Sequence, residues 1–449
     1  MGKELIFQTM RHEPAERVPW VPFAGVHAGK LLGYTAEELL TDGSKLLPSL
    51  LEVNKLYTPD GMPVVFDLQI EAEILGCELL WARDNPPSVK SHPLAGSAEI
   101  PSIIPAAEDG RLPMILDVMR KLKAEVGTQT ALYGLVCGPF TLASHLRGTD
   151  IFMDMISDPD YIRKLVGYCA EVCKAVAGLY IDAGMDVIAV VDPLVSQISP
   201  KHFSKMLHDA FTSVFDYIRS RNTFSSFFVC GNATRQIEVM CKTGPDSLSV
   251  DENVDLASAK EITDQYNIAI GGNIPLTTTM LFGTQQDNIK CVLDILEKVS
   301  HKNLIISPGC DMPYDIPIEN TVAAAQAVQH PGLAAKMLEN YAAAEDDSIQ
   351  VDIPDYEHLD KVLVELFLLD PAQCAACTYM LAAVEDVFDS IKDYAEYRTY
   401  KYTNREDIAR TKKMGVKNLP SMYINGELAY GSIIPSAEEL VEKIRSRMK

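Results

Sequence analysis

Apolar residues along the first 310 positions of the chain fall into eight short runs that are rich in β-branched and aromatic side chains. Most of these runs are continuous rather than alternating, which is typical of strands buried on both faces of a parallel sheet. The strands predicted in this way are residues 17–23, 62–67, 131–138, 187–192, 226–232, 247–252, 268–274 and 304–310.

Segments with a helical spacing of apolar residues separate these runs. The clearest are residues 36–57, 158–183, 202–219, 257–266 and 286–299. Thr35 precedes the first of them and Glu38 follows three residues later, a pattern that predicts an N-terminal capping box. Repeated strand–helix units predict an α/β fold of the (βα)8 TIM-barrel type. A doubly wound open sheet is the alternative, but no glycine-rich fingerprint follows the first strand.

Six of the predicted strands end in an acidic or sulfur-bearing side chain. In a (βα)8 barrel the carboxyl ends of all strands lie at one rim, where active sites are built. We therefore expect a chemical pocket at that rim, lined by Asp67, Cys137, Asp192, Cys230, Asp251 and Cys310.

The hydrophobic pattern changes after residue 342. Residues 343–359 are acidic and are interrupted by Pro354, which predicts a linker between a barrel at 1–342 and a second domain at 360–449. Asn425-Gly426 predicts a tight hairpin in the second domain. The whole pattern there predicts strand, helix, strand, helix, two strands and a helix, at residues 361–369, 374–394, 395–403, 405–414, 421–425, 428–431 and 436–448.

A Cys-x-x-Cys motif formed by Cys374 and Cys377 opens the first helix of this second domain. The positive end of a helix stabilises a thiolate, and the spacing allows the two cysteines to form a disulfide. With the element order and with Pro420 before the hairpin, the motif resembles thioredoxin-like domains, in which that proline is cis and faces the cysteines. Residues 370–373 depart from the tryptophan-containing turn of thioredoxins. The resemblance implies redox roles for Cys374, Cys377 and Pro420; packing alone and a structural zinc site are the alternatives.

Composition narrows the functional classes. The 449 residues carry 62 acidic and 40 basic side chains, a formal net charge of −22 that repels nucleic acid and anionic lipid. No apolar run approaches the roughly 18 residues needed to span a bilayer, and the first residues lack an apolar signal core. We therefore expect a cytoplasmic protein that binds neither nucleic acid nor membranes. In that reducing compartment the ten cysteines are expected to be buried fillers, metal ligands or redox groups.

Several motifs in the first 340 residues occur together in one enzyme superfamily. With these motifs, residues 4–340 resemble the uroporphyrinogen decarboxylase superfamily, and within it the methylcobamide:coenzyme M methyltransferases and related cobamide-dependent methyltransferases. The motifs are Phe66-Asp67 with Glu71-Ala72-Glu73-Ile74-Leu75-Gly76-Cys77, Gly138-Pro139-Phe140-Thr141-Leu142-Ala143, Val191-Asp192-Pro193, Phe228-Val229-Cys230-Gly231-Asn232 and Gly309-Cys310-Asp311-Met312-Pro313.

The resemblance implies a zinc site. Enzymes of this branch bind zinc through a His-x-Cys pair and a distant cysteine, and the metal holds a thiol as the thiolate that attacks a methyl group. Cys230 and Cys310 match the two cysteines, but Phe228 stands where the histidine would be. Three alternatives follow. Zinc is held by both cysteines and a carboxylate, the barrel binds no metal, or a histidine from another loop completes the site. The candidate carboxylates are Asp251 and Glu252, and the candidate histidines are His27 and His145.

The resemblance also implies a corrinoid-dependent methyltransferase. It would move a methyl group between a cobamide, carried by a separate corrinoid protein, and a small methyl donor or thiol acceptor. No Asp-x-His-x-x-Gly stretch offers a histidine to cobalt in this chain. The candidate catalytic residues are Cys230, Cys310 and Asp192, although an N-cap for the following helix is an equal alternative for Asp192. The candidate substrate- or cofactor-binding residues are His27, Asp67, Asn232, Asn273 and His145, the last of which also fits a structural histidine.

Other functions stay open at this point. The second domain would keep the barrel cysteines reduced, recruit a thiol partner or present Cys374 as the acceptor. A barrel that has lost catalysis would leave a redox adaptor or a thiol–disulfide oxidoreductase. Porphyrinogen decarboxylation is less favoured, because an anionic tetrapyrrole needs several fixed cations and residues 18–25 contain no arginine. The sequence leaves the donor, the acceptor, the direction of transfer and the formation of a homodimer undetermined.

Overall fold

The computed structural model describes residues 2–339, 341, 349, 351–369, 375–416 and 419–448, without the side chains of residues 375 and 376. The chain divides into two compact units, Met1–Tyr341 and Ala342–Lys449. Among the sequence predictions, Cys374, residues 370–373 and most of residues 343–350 lie outside the described residues. No helix in the described ranges is long and apolar enough to cross a bilayer.

The core of the first unit is a parallel β-sheet, which confirms the predicted α/β class. Its strands are β1 Gly61–Pro63, β4 Ala131–Cys137, β5 Val187–Val191, β6 Phe224–Val229, β7 Ser247–Val250, β8 Ala269–Ile274 and β9 Leu304–Pro308, and a separate antiparallel ribbon pairs β2 Leu79–Leu80 with β3 Ser88–Val89. The seven parallel strands lie side by side in chain order. That order is the one a barrel-like sheet requires, and it rules out the doubly wound alternative.

The segment around Trp20 joins the two edges of this sheet. Trp20 forms a parallel bridge with Ile306 of β9, where the Val21 amide donates to the Ile306 carbonyl at 2.9 Å and the Ile306 amide donates to the Pro19 carbonyl at 2.9 Å. On its other side the Trp20 carbonyl accepts the amide of Asp60, next to β1, at 3.0 Å. The predicted strand at residues 17–23 is reduced to this bridge because prolines on both sides of it lack amide donors. The sheet therefore curls back on itself.

Helices cover this sheet. Their bounds are α1 Gly2–Met10, α2 His27–Lys30, α3 Ala36–Thr41, α4 Gly43–Tyr57, α5 Ile70–Ile74, α6 Leu112–Val126, α7 Pro139–Arg147, α8 Asp150–Ser157, α9 Pro159–Asp182, α10 Pro200–Met206, α11 His208–Ser220, α12 Ile237–Cys241, α13 Leu256–Gln265, α14 Gln285–Lys298, α15 Ile318–Gln329 and α16 Pro331–Met337, with a 3₁₀ turn at Pro193–Gln197 and a π-helical turn at Leu276–Leu281.

Capping side chains set several helix boundaries. The capping box of Thr35 and Glu38 is present, which confirms that prediction. The single helix predicted at residues 36–57 is wrong, because Asp42 adopts an extended conformation and its side chain accepts the Ser44 amide at 2.8 Å, so that it begins α4. The predicted helix at 202–219 is likewise divided into α10 and α11.

The second unit contains a mixed four-stranded sheet. Its strands are β10 Val362–Leu368, β11 Ala395–Lys401, β12 Ser421–Ile424 and β13 Glu427–Gly431, and its helices are α17 Ala375–Ile391, α18 Arg405–Lys413 and α19 Ala437–Arg445. The strand order is β11, β10, β12, β13, and β10 is parallel to β11 and antiparallel to β12. Asn425 and Gly426 form the predicted hairpin turn with φ of 49° and 79°, and the Leu419–Pro420 peptide is cis as predicted.

A buried ion pair lies on one face of this sheet. Along β10, alternate residues face α17 and α19 in an apolar core, whereas Glu365 points to the opposite face. There the Arg410 guanidinium donates to the Glu365 carboxylate, and both side chains are almost completely buried. The Tyr356 hydroxyl also donates to Glu365, and Arg410 donates to the Asp352 carbonyl at 3.1 Å. The described residues 351–359 of the predicted linker are therefore held within the second unit.

The ion pair predicts an unequal response to two substitutions. Arg410→Met leaves the Glu365 carboxylate buried without its cation and should lower the free energy of unfolding of the second unit by about 3–5 kcal/mol. Glu365→Leu/Arg410→Met, which removes both charges, should cost clearly less. Urea titrations, monitored through the hydrogen exchange of peptides from residues 361–369, measure the free energy of unfolding of the second unit. The exposed Arg398→Met is the matched control. Equal losses in the single and double variants would contradict the account.

Candidate active site at the carboxyl ends of the strands

Two cysteines from separate strands meet at the rim of the first unit. Cys230 follows β6 and Cys310 follows β9, with β7 and β8 between them in the sheet. They form a disulfide with their Cα atoms 5.9 Å apart, across a sequence separation of 80 residues. The structure thus brings together the two cysteines that the sequence singled out, in oxidised form.

An aromatic cluster forms the floor beneath this pair. The buried Phe228 ring contacts the rings of Phe23 and Phe66, with centroid distances of 4.8 Å and 5.8 Å. Cys230 and Cys310 pack against the same cluster. Phe228, in the position of the expected histidine, therefore contributes apolar packing under the rim and no ligand atom.

The acidic stretch after β7 contacts both cysteine loops. The Gly231 amide donates to the Asp251 carboxylate. Gly309 passes so close to the Glu252 backbone that a Cβ on Gly309 would lie 2.7 Å from the Glu252 amide nitrogen. Burial raises the pKa of Asp251, and burial together with the charge of Asp251 raises the pKa of Glu252 to about 8. Asp251 and Glu252 thus lie beside the loops that carry Cys230 and Cys310, while the Glu252 carboxylate accepts the Leu276 amide and the Asp251 carboxylate accepts the Asn253 amide at 2.9 Å.

In this oxidised form the residues do not fit a metal ion. Metal ligation requires cysteine thiolates, and disulfide sulfurs carry no such charge. Among the described residues there is no group of three histidine, cysteine or acidic side chains arranged to hold a metal. Ligation by Cys230, Cys310, Asp251 or Glu252 therefore stays a prediction about a different redox state of the rim.

Both candidate histidines are buried and neutral. His27 uses both ring nitrogens, contacting the Tyr314 carbonyl at 2.9 Å and the Tyr57 hydroxyl at 2.7 Å. The Nδ1 of His145 has no partner in the described part of the chain. Burial lowers the pKa of each to about 4. Neither ring is joined to the cysteine pair by any described contact, and their substrate-binding roles remain predictions.

A buried ionic network lies beside β1. Arg111 donates to Asp67 at 2.6 Å and to Glu73 at 2.7 Å, so the predicted binding residue Asp67 is paired with a cation. Glu71 is also buried; one of its oxygens accepts the Cys137 amide at 2.9 Å and the other has no described partner. Burial raises the pKa of Glu71 to about 7. Glu71 and Arg111 were not predicted as site residues, although Glu71 lies within one of the motifs that carry the family resemblance.

Asp192 holds a turn in place. Its carboxylate is fully buried and accepts the amides of Phe140 at 2.8 Å and Thr141 at 3.2 Å and the Thr141 hydroxyl at 2.6 Å. It therefore caps α7, the helix after β4. The Val195 amide, in the turn that follows Asp192 in sequence, is a further and weaker partner of the carboxylate. A catalytic role for Asp192 stays a prediction.

The two candidate asparagines stabilise rim loops. The Asn273 amide group donates to the carbonyls of Asp251 at 2.9 Å and Val254 at 2.7 Å, which fixes the acidic stretch. Asn232 accepts the Thr234 amide at 3.2 Å within its own loop. These contacts give both side chains a positioning role, and binding of substrate by either is still a prediction.

In the second unit, Cys377 is fully buried and disulfide-bonded. Cys374, its predicted partner, lies outside the described residues. Pro420 precedes β12, at the start of the hairpin. The redox roles of these residues stay predictions.

The raised pKa of Glu71 predicts a pH-dependent stability. The folded state keeps the Glu71 proton up to about pH 7, whereas an unfolded glutamate releases it near pH 4.5, so the wild-type protein loses stability as the pH rises between these values. Glu71→Gln keeps the acceptor for Cys137 and cannot ionise. At pH 8 it should be more stable than wild type by up to about 3 kcal/mol, and near pH 4 about equal. Thermal unfolding monitored by tryptophan fluorescence measures this difference, since Trp20 and Trp81 lie in the first unit. The exposed Glu4→Gln is the control. A stability difference between Glu71→Gln and wild type that stays the same at every pH would contradict the prediction.

Known proteins similar to this chain include two enzyme types. Methylcobamide:CoM methyltransferase MtbA of Methanosarcina acetivorans is 27% identical over 327 residues, which is 71% of this chain and 94% of that protein. Methylcobamide:CoM methyltransferase MtaA of Methanosarcina barkeri is 28% identical over 278 residues, 60% of this chain and 79% of that protein. Uroporphyrinogen decarboxylase of Trichodesmium erythraeum is 26% identical over 272 residues, 59% of this chain and 76% of that protein.

Solved structures and a family model agree on the fold. A methyltransferase from Methanosarcina mazei superposes with a TM-score of 0.67 at 24% identity, over 74% of this chain and 99% of that one. A B12-independent methionine synthase from Shewanella sp. W3-18-1 gives 0.52 at 13% identity, over 71% and 99%. Residues 1–330 match the model of the uroporphyrinogen decarboxylase (URO-D) family. Because this match spans well over half of the 449 residues, the chain belongs to the uroporphyrinogen decarboxylase (URO-D) family.

Proposed function

We propose that the first unit is a corrinoid-dependent methyltransferase. It would move a methyl group between a cobamide, carried by a separate corrinoid protein, and a small donor or acceptor. The observation that carries this proposal is the meeting of Cys230 and Cys310 at the rim, next to Asp251 and Glu252. Thiol ligands at an active-site rim suit methyl transfer to sulfur and have no part in decarboxylating a porphyrinogen. The methylcobamide:CoM methyltransferases among the similar proteins also support a methyltransferase function.

Zinc binding is part of this proposal only for the reduced protein. When the disulfide is open, Cys230 and Cys310 with Asp251 or Glu252 are the residues that would hold it. A bound zinc supplies a Lewis acid that keeps a substrate thiol deprotonated near neutral pH. Phe228 gives the site one fewer nitrogen donor than the related enzymes, so a carboxylate is the expected third ligand.

The surrounding residues act on a substrate in two ways. The rings of Phe23, Phe66 and Phe228 form a dry apolar floor, which excludes water from below the cysteines and strengthens any charge interaction at the rim. The Asp192 carboxylate fixes the turn at the start of α7, so the wall of the pocket beside β4 is rigid. These residues would shape the pocket in which the reactants are oriented.

Decarboxylation of a porphyrinogen is the less favoured function of the first unit. Residues 18–25 supply no arginine, and Arg17 donates to Asp60 at 2.6 Å and 2.8 Å. Asp60 directly precedes β1, at the amino end of the strand, so Arg17 is held at the end opposite to the rim. Arg111 is engaged by two carboxylates. The described rim thus has few cations to hold a multiply anionic tetrapyrrole.

For the second unit we propose a thioredoxin-like domain with redox-active cysteines. The strand order, the helix after β10, the position of Pro420 directly before β12 and the disulfide-bonded Cys377 support it. A thiol–disulfide oxidoreductase, or a redox adaptor with an inactive first unit, is therefore the second candidate function. The two candidates differ in which cysteines are essential.

Methyl transfer can be tested with methylcobalamin as the donor and coenzyme M as the thiol. Anaerobic protein, reduced with a phosphine that is then removed and supplied with zinc, should convert the methylcobalamin spectrum. Cys230→Ser and Cys310→Ser should each slow this reaction by about 100-fold, because each removes a proposed ligand. Cys291→Ser, on α14, is the matched control and should retain the wild-type rate. Equal rates in all four proteins, or no reaction in wild type with a panel of small thiols, would contradict the proposal.

The second candidate predicts a different pattern. In a dithiothreitol-coupled insulin reduction assay, wild type should accelerate precipitation of the insulin chains, and Cys377→Ser should abolish the acceleration. Cys230→Ser and Cys310→Ser should leave it intact, since both belong to the first unit. Insulin reduction that survives Cys377→Ser would exclude the Cys-x-x-Cys motif as its source.

A further inference from the structure

A wedge opens between β1 and β4 at their carboxyl ends, away from the cysteine pair. The two strands are paired over Gly61–Pro63, but β4 continues to Cys137, where no residue of β1 pairs with it. The Glu71 carboxylate, from α5, accepts the Cys137 amide there at 2.9 Å. A side chain therefore occupies the position that a backbone group of β1 would otherwise have.

Three buried polar atoms around this wedge have no hydrogen-bond partner in the described part of the chain. They are Oε2 of Glu71, Nη2 of Arg111 and the hydroxyl oxygen of Tyr180, a residue of α9. Glu71 and Tyr180 are almost completely buried as whole residues. Buried polar atoms of folded proteins are nearly always hydrogen-bonded, either to protein or to an ordered bound molecule. Three such atoms in one region therefore indicate a bound molecule that they share.

Contacts place the three side chains in the same region. Arg111 donates to Asp67, just after β1, at 2.6 Å. Tyr180 packs against β4 so closely that a Cβ on Gly134 would lie 2.9 Å from its ring. Burial, and then the charges of Glu71 and Asp67, raise the pKa of Tyr180, and the charge of Arg111 opposes this shift. The groups thus lie near enough for their charges to act on the Tyr180 hydroxyl, although no described hydrogen bond joins them directly. A bridging molecule spans a separation of this kind.

The hydrogen-bonding chemistry around the wedge defines what this molecule is. Arg111 can only donate, whereas the Tyr180 hydroxyl and the Glu71 carboxyl group can each donate or accept. The bound molecule must therefore offer both lone pairs and hydrogens. The Arg111 guanidinium disfavours a cation, and its two carboxylate partners, Asp67 and Glu73, already balance its charge, so a buried anion would lack a counter-charge. A neutral molecule of the size of water meets these conditions.

We propose that the wedge between β1 and β4 is a binding site for one ordered water molecule, which bridges Glu71, Tyr180 and Arg111. Glu71 also holds the end of β4, and Arg111 holds Asp67 after β1. The bridge therefore fixes the spacing of two neighbouring strand ends at the rim. This inference is independent of the reaction proposed for the first unit.

A crystal structure of the full-length protein, at a resolution that shows ordered water, tests the site directly. One peak of electron density should lie within about 3.2 Å of Glu71 Oε2, Arg111 Nη2 and the Tyr180 hydroxyl oxygen. The peak should persist in Glu71→Gln, because an amide can also donate or accept. Direct hydrogen bonds among the three side chains, the same side-chain positions without a peak between them, or a peak that refines as an ion would each overturn the proposal.

Thermal unfolding of Tyr180→Phe tests the same site in solution through the sign of the change in Tm. If a water molecule bridges the three groups, loss of the hydroxyl leaves that water short of a partner and should lower Tm by roughly 1–3 °C. A buried hydroxyl without any partner destabilises the folded state, so its removal would leave Tm unchanged or raise it, which would contradict the proposal. Tyr168→Phe is the control on the same helix, because its hydroxyl donates to the Ile103 carbonyl at an exposed position and its loss should change Tm little.

Discussion

Closure of the parallel sheet through a single bridge is the constraint on which the rest of the first unit depends. The backbone around Trp20 bonds to β9 on one side and to the start of β1 on the other. Asp60 reinforces this seam, because its carboxylate accepts both the Trp20 amide and the Arg17 guanidinium. Without the closure, β6 and β9 would belong to distant parts of an open sheet. With it, all strand ends face one rim, and residues 80 positions apart share a bond.

Much of the fold could be predicted because strands buried on both faces are continuous apolar runs with turn residues around them. Every predicted strand from residue 62 to residue 310 has an observed counterpart, and the hairpin at Asn425-Gly426 follows from the turn chemistry of two residues. Helix breaks were less predictable. Asp42 looks like an ordinary exposed helix residue in the sequence, and its capping of α4 depends on how α3 and α4 pack. The single bridge at Trp20 could not be predicted either, because it depends on where β9 and the start of β1 lie in the folded sheet.

The contacts within the candidate site were harder to predict from the sequence than the fold. Residue types and spacing singled out Cys230 and Cys310, but not that they lie close enough to form a disulfide, because the folded sheet alone sets that distance. Asp192 was expected either to act in catalysis or to cap the next helix, and the strongest contacts of its carboxylate are with a helix that follows an earlier strand. Glu71 and Arg111 went unnoticed because their environment comes from three separate segments. Pairings between distant loops are a property of the fold and leave little local signal.

The contact between Asp192 and the turn after β4 has a consequence for how sequence variation in this chain should be interpreted. A Cβ on Gly138 would lie 2.4 Å from the Asp192 carboxylate, so even alanine would push that carboxylate off the amides it caps. A mutational scan would therefore score Gly138 as intolerant, beside a pocket, and invite its assignment to the chemistry. The intolerance would instead report steric exclusion by a neighbouring side chain. Screens for altered substrate range in this scaffold should leave Gly138 and Asp192 fixed and diversify the floor and the acidic stretch.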